Sequence, residues 1–532
     1  MKTIGAIAAM LLLGTTQSGL AKMDCTADAL NALHVAGVQI SKAAPGNDPA
    51  HCAVEGTMVT SGDGAPPGSA RFAMQLPDTW HQRLFFMGVG GNAGTLTPSV
   101  NATDRLSALG KGYVTIVQDS GHIGNGTDAG WLKTPDRKRD VAKITDFRYR
   151  ATHSVTVTGK LFAKAFYAEP VRYAYFDGCS TGGRMAMMEA ERYPADFDGV
   201  IAGDPAMDYH STLLRFAVQK AALSSPAAYL SPATLQMVDK AVNAQCDAID
   251  GAIDGLVQNP ARCTVKPADL ICKTGITADC LTPEQAAVLR SYTSPLRDRR
   301  GRFLYPGWAI TNLSGPRGAS AWSTGNAAPN LKQPESPWGD DPKNAPLGWS
   351  FARQALNFWL DLGPEKPMLG LDVDPKTNTV GPELVALLDR TFGPLETKDP
   401  TKLQSFIRRG GKMIIYHGTS DPAIPAARSV QFMNELAKTM HGAAKARENV
   451  RLFLVPGMQH CSGGIGPDQF DTLSAIEAWV EKGKAPDAIA ASTKADSPTP
   501  HNLPLCPYPR QARYSGKGAL TDATNWACAA AL

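Results

Sequence analysis

Tyr175-Phe176-Asp177-Gly178-Cys179-Ser180-Thr181-Gly182-Gly183-Arg184-Met185 is the stretch of sequence that decides the fold. An apolar, aromatic run ends here at a Gly-x-Ser-x-Gly turn, and a helix-prone run over residues 184–192 follows directly. Because glycines at 178 and 182 carry no Cβ atom, the turn can be tight enough to hold the serine oxygen above a sheet. The adjacent helix N-terminus would offer amide donors to a negatively charged oxygen. The pattern predicts a nucleophile elbow, although an ordinary glycine-rich turn also fits these five residues taken alone.

Strand and helix patterns alternate on both sides of this turn. Apolar or alternating runs predict strands at residues 52–59, 70–77, 112–119, 171–176, 412–418 and 450–455, and at the start of 83–92. The first of these is expected at an edge of the sheet. Helical spacing of apolar residues is found at 147–166 and 470–482. This rhythm favours an α/β fold with a doubly wound, mostly parallel sheet.

The character of the sequence changes after Asp204-Pro205-Ala206. Residues 207–400 are rich in Pro, Gly, Trp and Asn, contain four cysteines and have little strand alternation. We therefore expect an inserted lid domain there, helical and loop-rich, closing over the serine. The catalytic domain would then be discontinuous, with a first part at 22–206 and a second part at 401–532. A length of 532 residues is too great for one ordinary core, which agrees with this division.

The N-terminus has the features of a secretory signal peptide at residues 1–21. Lys2 precedes an apolar run over residues 4–13, and small residues end the segment at Gly19-Leu20-Ala21, so cleavage is expected after Ala21. A short membrane anchor is the weaker alternative, because the run falls well short of the roughly 20 apolar residues that span a bilayer. The mature protein is therefore expected to be secreted or periplasmic, with no membrane partner.

Composition limits the classes of partner. The chain is 43% hydrophobic and 19% charged, with a formal net charge of +4, which is typical of a soluble globular protein. Lys and Arg do not cluster among aromatic residues, so we expect no nucleic-acid partner. The small charge is compatible with a neutral or mildly anionic small substrate. We expect a monomer or a weak homo-oligomer.

All ten cysteines lie after the expected cleavage point. An even number of cysteines in an oxidising compartment favours disulfides, but their spacing alone does not choose the pairs. Because the chain has no Cys-x-x-Cys pair, zinc is a poor alternative.

Two segments carry a family pattern. The first is Gly178-Cys179-Ser180-Thr181-Gly182-Gly183-Arg184, with Tyr193-Pro194 and Phe197-Asp198-Gly199-Val200-Ile201-Ala202-Gly203-Asp204-Pro205-Ala206 after it; the second is Gly457-Met458-Gln459-His460-Cys461-Ser462-Gly463-Gly464. On these residues the chain resembles the tannase and feruloyl esterase family. The resemblance extends over nearly the whole mature chain and is weaker at about 291–400. It implies an α/β-hydrolase fold with a large inserted lid domain.

The resemblance also implies a pairing of the cysteines. The implied bonds are Cys25 with Cys52, Cys179 with Cys461, Cys246 with Cys263, Cys272 with Cys280, and Cys506 with Cys528.

A serine hydroxyl needs a neighbouring imidazole to take its proton, and that imidazole needs a carboxylate to fix its tautomer. In the chain order Ser, Asp, His, the acid follows a late strand and the histidine comes later, in a loop. These rules predict a catalytic triad of Ser180, Asp421 and His460. Other candidates are given structural roles: His417 precedes the turn, His122 and His153 lie far from the late loop, and Asp468 and Asp471 open a helix and are expected to cap it.

An oxyanion hole is predicted from two loops. A buried strand starting at Arg83 leads directly into the loop Gly88-Val89-Gly90-Gly91-Asn92, where glycine allows the backbone to approach a substrate oxygen. By resemblance, the donors are Gly90 or Gly91 together with the amide of Thr181. A simple turn is the alternative, and a phosphate loop is disfavoured because no Gly-Lys-Ser/Thr follows.

A cluster of carboxylates predicts a cation site in the lid. Asp247, Asp250 and Asp254 lie within eight residues and are separated by glycines, so they would repel one another unless a hard cation neutralised them. The resemblance implies Ca²⁺ held by these three side chains and by the carbonyls of Ala252 and Leu256. Cys246 and Cys263 bracket the loop, which favours a structural ion. A solvated acidic turn is the alternative.

Together these features predict a secreted serine carboxylesterase, and the resemblance implies that it acts on esters of aromatic acids such as gallate, ferulate or a terephthalate monoester. An alternative is a hydrolase specific for mono(2-hydroxyethyl) terephthalate, whose free carboxylate would need a cation such as Arg353, with Ile424 as a second substrate contact. A non-catalytic binding protein on a hydrolase scaffold and a peptidase are further alternatives. Some lid aromatics could contact the acyl group, although most are expected to pack in the core of the lid: Trp308, Trp322, Trp338, Trp349, Phe351, Phe358 and Trp359.

Overall fold

The computed structural model describes residues 23–275, 278–339, 341, 343–363 and 366–530. The expected signal peptide at residues 1–21 lies outside this part of the chain. None of the helices within it is long and apolar enough to cross a bilayer.

The strands are numbered in chain order. They are β1 (Val38–Asn47), β2 (Ala50–Thr60), β3 (Gly68–Pro77), β4 (Arg83–Met87), β5 (Tyr113–Gln118), β6 (Tyr173–Cys179), β7 (Gly199–Gly203), β8 (Leu296–Asp298), β9 (Phe303–Tyr305), β10 (Val373–Asp374), β11 (Thr379–Val380), β12 (Lys412–Gly418), β13 (Val450–Val455), β14 (Gln469–Phe470), β15 (Ile489–Ser492), β16 (Asn502–Leu505), β17 (Arg510–Tyr514) and β18 (Trp526–Ala530).

The α-helices are numbered in the same way. They are α1 (Ala27–Asn31), α2 (Ala102–Ala108), α3 (Val141–Thr145), α4 (Ala151–Tyr167), α5 (Thr181–Arg192), α6 (His210–Ala222), α7 (Pro232–Cys246), α8 (Pro283–Thr293), α9 (Leu347–Gln354), α10 (Pro382–Phe392), α11 (Gln404–Arg408), α12 (Ala427–Thr439), α13 (Ala443–Arg447) and α14 (Thr472–Lys482).

The main sheet has nine strands in the spatial order β1-β2-β3-β5-β4-β6-β7-β12-β13. The pairs from β1 to β5 are antiparallel, and those from β5–β4 to β12–β13 are parallel. All of β5, and all of β6 except its first residue, is buried, as expected for parallel strands covered on both faces. The prediction that residues 52–59 form an edge strand is wrong, because β1 pairs with β2 and takes the edge.

Two groups of helices pack on this sheet. Helices α4 and α5 contact each other and the central strands, and α2 and α14 form a second contacting pair. The predicted helix at 147–166 begins as a π-helical turn, Asp146–Arg150, and continues as α4. These layers bring the carboxyl ends of β6, β7, β12 and β13 to one edge of the sheet, where loops can meet.

The chain between β7 and β12 forms a large insert of helices α6–α11 and strands β8–β11. A separate four-stranded sheet, in the order β10-β11-β8-β9, lies within it. The sequence did not predict this sheet, because its strands have only two or three residues each. The amide of Thr397 donates to the carbonyl of Met207 (3.0 Å), so the two connections of the insert run side by side. The exact boundaries at 207 and 400 remain predictions.

Five disulfides tie the described chain together. They join Cys25 to Cys52, Cys179 to Cys461, Cys246 to Cys263, Cys272 to Cys280 and Cys506 to Cys528. These are the pairs that the family resemblance implies. The second bond spans 282 residues of sequence and links the end of β6 to the loop after β13.

Candidate active site

Ser180 lies on a sharp turn between β6 and α5. Its backbone has φ 64° and ψ −122°, a conformation that is strained for a residue with a side chain. A Cβ atom on Gly178 would lie 2.4 Å from the backbone of Gly182, so the crossing of these two segments requires glycine. The Ser180 amide donates to the carbonyl of Gly203 (2.9 Å), which ties the turn to the end of β7. This geometry is that of a nucleophile elbow.

The glycine loop after β4 packs directly on the elbow. A Cβ atom on Gly88 would lie 2.7 Å from the Cα of Gly182, and one on Gly91, whose φ is +59°, would lie 2.1 Å from the carbonyl oxygen of Gly126. Among the described residues, the amides of Gly91 and Thr181 do not donate to any backbone carbonyl. Gly91 and Thr181 line the same cavity, whereas Gly90 packs behind it against Ser99.

Asp421 and His460 meet although they follow different strands, β12 and β13. His460 Nδ1 lies 2.7 Å from Asp421 Oδ2, and both side chains are buried. The other carboxylate oxygen of Asp421 accepts the amides of Ala423 (2.6 Å) and Ile424 (2.9 Å). Burial alone would raise the pKa of Asp421, but the charges and hydrogen bonds of His460 and His417 outweigh it and hold that pKa well below the ordinary carboxyl value. The acid is therefore ionised at neutral pH.

The bond to Asp421 fixes the imidazole of His460. With Nδ1 donating to the carboxylate, Nε2 is left as the basic nitrogen. Ser180 and His460 line one cavity of about 130 Å³, but no direct hydrogen bond joins these two described residues. Such bonds are often long in unliganded enzymes and shorten when substrate is bound.

The cavity is built by loops that follow strands of the main sheet and by the insert. It is lined by Gly91, Asn92, Ser180, Thr181, Ala206, Tyr209, Ser211, Thr212, Arg215, Trp322, Phe351, Ala352, Ala423, Ile424 and His460. Of the seven lid aromatics named from the sequence, only Trp322 and Phe351 are among them. Their rings are parallel within 3° with centroids 6.0 Å apart, and the Trp322 ring stands at 79° to the His460 ring, with centroids 5.1 Å apart. The cavity thus has one aromatic wall beside the imidazole of His460.

The cation at this cavity is Arg215 of α6, which the sequence did not single out. Arg353, the residue predicted for this role, pairs with Glu335 and does not line the cavity, although its neighbour Ala352 does. Ile424, the other predicted contact, lines it as expected. The sequence held no signal for Arg215, because nothing in its spacing distinguishes it from Lys220, the other basic residue with a long side chain on the same helix.

Arg215 has no carboxylate within salt-bridge distance among the described residues. Its Nη1 donates to the carbonyl of Trp322 (2.9 Å) and to Ser323 Oγ (2.9 Å), and its Nη2 donates to the carbonyls of Pro422 (3.1 Å) and Ala423 (3.0 Å). Burial lowers the pKa of Arg215 to about 10, so it remains protonated at neutral pH. A buried cation whose hydrogen-bond acceptors are all neutral oxygens contributes positive potential to the cavity.

The acidic loop of the insert is a tight turn. Asp247 accepts the amides of Asp254 (3.3 Å) and Gly255 (2.9 Å), one on each carboxylate oxygen. One oxygen each of Asp250 and Asp254 is buried without a hydrogen-bond partner. Burial, with repulsion between the carboxylates, raises the pKa of Asp250 to about 7 and that of Asp254 to about 6. Buried carboxylate oxygens that lack donors fit a hard cation such as Ca²⁺.

The oxygens of the three loop carboxylates do not all lie within 4.8 Å of one another, the spacing at which side chains of the described chain could share one metal ion. Four other groups meet that criterion: Cys179–Asp204–Cys461, His153–Glu189–Asp196, Asp204–Asp421–His460 and Asp208–His210–Glu396. The first includes the Cys179–Cys461 disulfide, and the third includes the hydrogen-bonded pair Asp421 and His460.

The rival candidates have structural partners. Asp471 caps α14 by accepting the amide of Ser474 (2.7 Å), as expected. The expectation that Asp468 also caps this helix is wrong, because its carboxylate accepts the amide of Gly463 (2.8 Å). His153 pairs with Asp196, and His122 contacts the carbonyl of Asn92 with Nε2 (2.8 Å). His417 is the exception, because its Nε2 lies 3.4 Å from Asp421 Oδ2 and it therefore borders the acid–base pair.

Comparison with known proteins agrees with this architecture. The solved structure of an esterase from Aspergillus oryzae aligns with a TM-score of 0.76 at 27% identity, over 93% of this chain and 97% of that one. The chain is an α/β-hydrolase with an extra insert, as predicted, and a carboxylic ester hydrolase. Residues 52–529 match the family model described as Tannase and feruloyl esterase, and the protein belongs to this family.

Two curated relatives are similar over most of their length. The mono(2-hydroxyethyl) terephthalate hydrolase of Piscinibacter sakaiensis is 34% identical over 538 residues, covering 91% of this chain and 85% of that protein. The probable feruloyl esterase B-1 of Aspergillus flavus is 30% identical over 475 residues, covering 85% and 82%.

Proposed function

We propose that this esterase hydrolyses esters of aromatic carboxylic acids through a Ser180–His460–Asp421 triad and an acyl-enzyme intermediate. The observation that carries the proposal is the single cavity shared by Ser180 and His460, with Asp421 bonded to the far side of the imidazole. Because the bond at Nδ1 leaves Nε2 unprotonated, His460 is set up as a general base toward the serine.

The reaction follows from these positions. Ser180 Oγ attacks the ester carbonyl carbon while its proton passes to His460 Nε2. The negative charge on the carbonyl oxygen is stabilised by the amides of Thr181 and of Gly91 or Gly90. When the intermediate collapses, the proton on Nε2 moves to the departing alcohol oxygen and the acyl group stays on Ser180. Water then attacks the acyl-enzyme by the same steps, and the acid is released.

The aromatic wall supports an aromatic acyl group. Trp322 and Phe351 give the cavity flat apolar surface close to His460, and an aromatic ring gains both burial and stacking there. A terephthalate monoester is a second candidate substrate, because Arg215 places a cation at the cavity without a carboxylate of its own. The free carboxylate of such a substrate would supply the missing negative charge.

A substrate panel separates these candidates: methyl gallate, methyl ferulate, and mono- and bis(2-hydroxyethyl) terephthalate. If Arg215 binds a substrate carboxylate, the monoester is preferred over the neutral diester, and R215Q reverses that preference. The ratio of the two kcat/KM values within one variant cancels general damage to the fold. A ratio unchanged in R215Q would refute this role for Arg215.

Two controls test the remaining alternatives. S180A should be inactive, and a fluorophosphonate should label Ser180 in the wild-type protein. If it does not label Ser180, a non-catalytic binding protein is favoured. A comparison of matched ester and amide substrates tests peptidase activity, for which faster cleavage of the amide would contradict the esterase proposal.

We also propose a structural Ca²⁺ in the insert. Asp247, Asp250 and Asp254 would hold it with side-chain oxygens, and Ala252 and Leu256 with carbonyls, as the resemblance implies. The buried oxygens of Asp250 and Asp254 that have no hydrogen-bond partner support this assignment. The ion would neutralise the loop and take no part in ester cleavage. Secretion or a periplasmic location is proposed as well, and five disulfides are typical of proteins in oxidising compartments.

A further inference from the structure

Asp204 lies where the three catalytic loops meet. It follows β7 directly, is fully buried, and has a positive φ of 35°. Its Oδ1 accepts the amide of Gly418 (2.8 Å), which leads into the loop of the acid Asp421. Its Oδ2 accepts the amide of Cys461, which directly follows the base His460. One carboxylate thus fixes both the acid loop and the base loop.

The backbone around Asp204 also contacts the elbow. Its own amide donates to the carbonyl of Tyr416 in β12 (2.9 Å). The carbonyl of Gly203 accepts the amide of Ser180, and the amide of Ala206 donates to the carbonyl of Ser180 (3.1 Å). The Asp204 carboxylate is therefore attached to the same short segment that fixes the nucleophile.

The Asp204 carboxylate also stands close to the imidazole of the base. His460 Nδ1 lies 4.0 Å from Asp204 Oδ2, compared with 2.7 Å from Asp421 Oδ2. His417 Nε2 lies 3.9 Å from Asp204 Oδ1 and 3.4 Å from Asp421 Oδ2. These four groups form a cluster of two carboxylates and two imidazoles. The guanidinium of Arg215 interacts electrostatically with Asp421, and the phenol of Tyr416 interacts with Asp204.

The backbone amides of Gly418 and Cys461 donate to the Asp204 carboxylate. These bonds favour its ionised form, even though burial raises the pKa of Asp204. A negative charge about 4 Å from an imidazole stabilises the imidazolium and therefore the transition state in which the base has taken the serine proton. The Cys179–Cys461 disulfide already restrains the base loop, so a bond for anchoring alone would be partly redundant. The charge of Asp204 is therefore a contribution separate from anchoring.

We propose that Asp204 is a positioning residue that acts as a second carboxylate for His460. It holds the acid and base loops against the elbow and adds negative charge beside the imidazole. The inference rests on the proposed triad and extends it, since the sequence assigns one acid and the structure brings two to the base.

The decisive measurement is the pH dependence of kcat/KM for D204N. The neutral imidazole is the active form, so loss of a neighbouring negative charge makes its protonation harder. The acid limb of this pH profile is the range in which activity falls because the imidazole becomes protonated. In D204N it should therefore move to lower pH by about one unit, which is the lower end of the range for a charge at this distance. The plateau value should fall about 10- to 100-fold because the loops are less well fixed.

Asp239 provides a matched control. Its carboxylate is also buried and accepts one backbone amide on each oxygen, from Leu313 (2.7 Å) and Ser314 (2.8 Å). D239N should lower the melting temperature as much as D204N does, with the acid limb in its wild-type position. A limb that moves equally in both variants would show a general effect of destabilisation and overturn the inference.

A double-mutant comparison tests the shared role. D421N leaves Asp204 beside His460, so it should keep at least tenfold more activity than the D204N/D421N double variant. Equal residual activity of the two would refute a second carboxylate. D204E keeps the charge and shifts its position, so its acid limb should stay at the wild-type pH while kcat falls. D204E also replaces D204N as the test variant if D204N does not fold. A shift of the acid limb of the pH profile in D204E would contradict the role of charge.

Failure of this inference is distinguishable from failure of the proposed function. If a fluorophosphonate does not label Ser180 in the wild-type protein, the triad itself is wrong. If Ser180 is labelled and the acid limb of D204N moves by less than 0.5 unit, Asp204 is only structural and the triad stands.

Discussion

Replacing Cys179 and Cys461 by alanine tests how the nucleophile and the base are kept in register. These cysteines directly precede Ser180 and directly follow His460, so their bond joins the two reacting loops one residue away from the chemistry. The double variant removes the covalent link and leaves the hydrogen bond from the Cys461 amide to Asp204 in place. The base loop is therefore loosened but still attached.

The expected loss of stability follows from the length of chain that the bond closes. The two cysteines are 282 residues apart, for which the chain-entropy relation gives about 5.6 kcal/mol, while measured disulfides usually contribute about 2 to 4 kcal/mol. For 532 residues the entropy of unfolding is about 1 kcal/mol per kelvin. We therefore expect the melting temperature to fall by about 2 to 5 °C.

The expected loss of activity is larger than this change in stability suggests. A displacement of about 1 Å between base and nucleophile can lower the rate about 100-fold. We expect kcat to fall about 10- to 100-fold when it is measured well below the melting temperature, where the variant is fully folded.

The assay pairs calorimetry with steady-state kinetics, and the Cys506–Cys528 bond supplies the control. That bond closes 22 residues, worth about 3 kcal/mol by the same relation, and joins C-terminal strands away from the cavity. C506A/C528A should lower stability and leave kcat unchanged. If C179A/C461A loses stability with kcat within twofold of wild type, the positioning argument is refuted. Free thiols at both positions in active, unreduced enzyme would refute the bond itself.

Three further outcomes are expected. S180A and H460A should each lose about 10⁴-fold or more in kcat with unchanged circular dichroism, because members of a triad act as a unit; substantial turnover by S180A would contradict the nucleophile assignment. Exhaustive chelation should lower the melting temperature of wild type but not of D250A, and elemental analysis that finds no metal would remove the calcium site. W322A should lower kcat/KM for methyl ferulate at least tenfold more than for an acetate ester, because the aromatic wall is lost; an equal loss for both would assign Trp322 to the fold.

The elbow and the central strands were predictable from the sequence because each depends on neighbouring residues. The glycines around Ser180 and the apolar runs of β5 and β6 are contiguous, so a short window contains the whole signal. The order Ser, Asp, His is likewise a property of the chain and led to Asp421 and His460, which the structure brings within 2.7 Å of each other.

Elements without an apolar signature were missed. β1 is an edge strand whose residues are mostly exposed, so its sequence lacks the alternation of a strand with one buried face. The short strands of the insert have too few residues for any period to be visible. Arg353 was chosen as the cation of the pocket from its place in the lid, but which arginine reaches the cavity depends on how α6 and α9 pack, which sequence spacing does not encode.

Arg215 and Asp204 could not be predicted from the sequence for the same reason, and this reason concerns how the insert contributes to the proposed catalysis. Each is a single buried charge whose partners come from several separate segments. The guanidinium of Arg215 joins the first helix of the insert to the carbonyls of Pro422 and Ala423, directly after Asp421, and to the carbonyl of Trp322, whose ring stands beside His460. Because the amide of Ala423 also donates to Asp421, a change in the insert reaches the acid through a single peptide unit. Substitutions in the proposed acyl pocket should therefore alter kcat as well as KM, because the proposed catalytic centre depends on residues of the insert as well as on the loops of the main sheet.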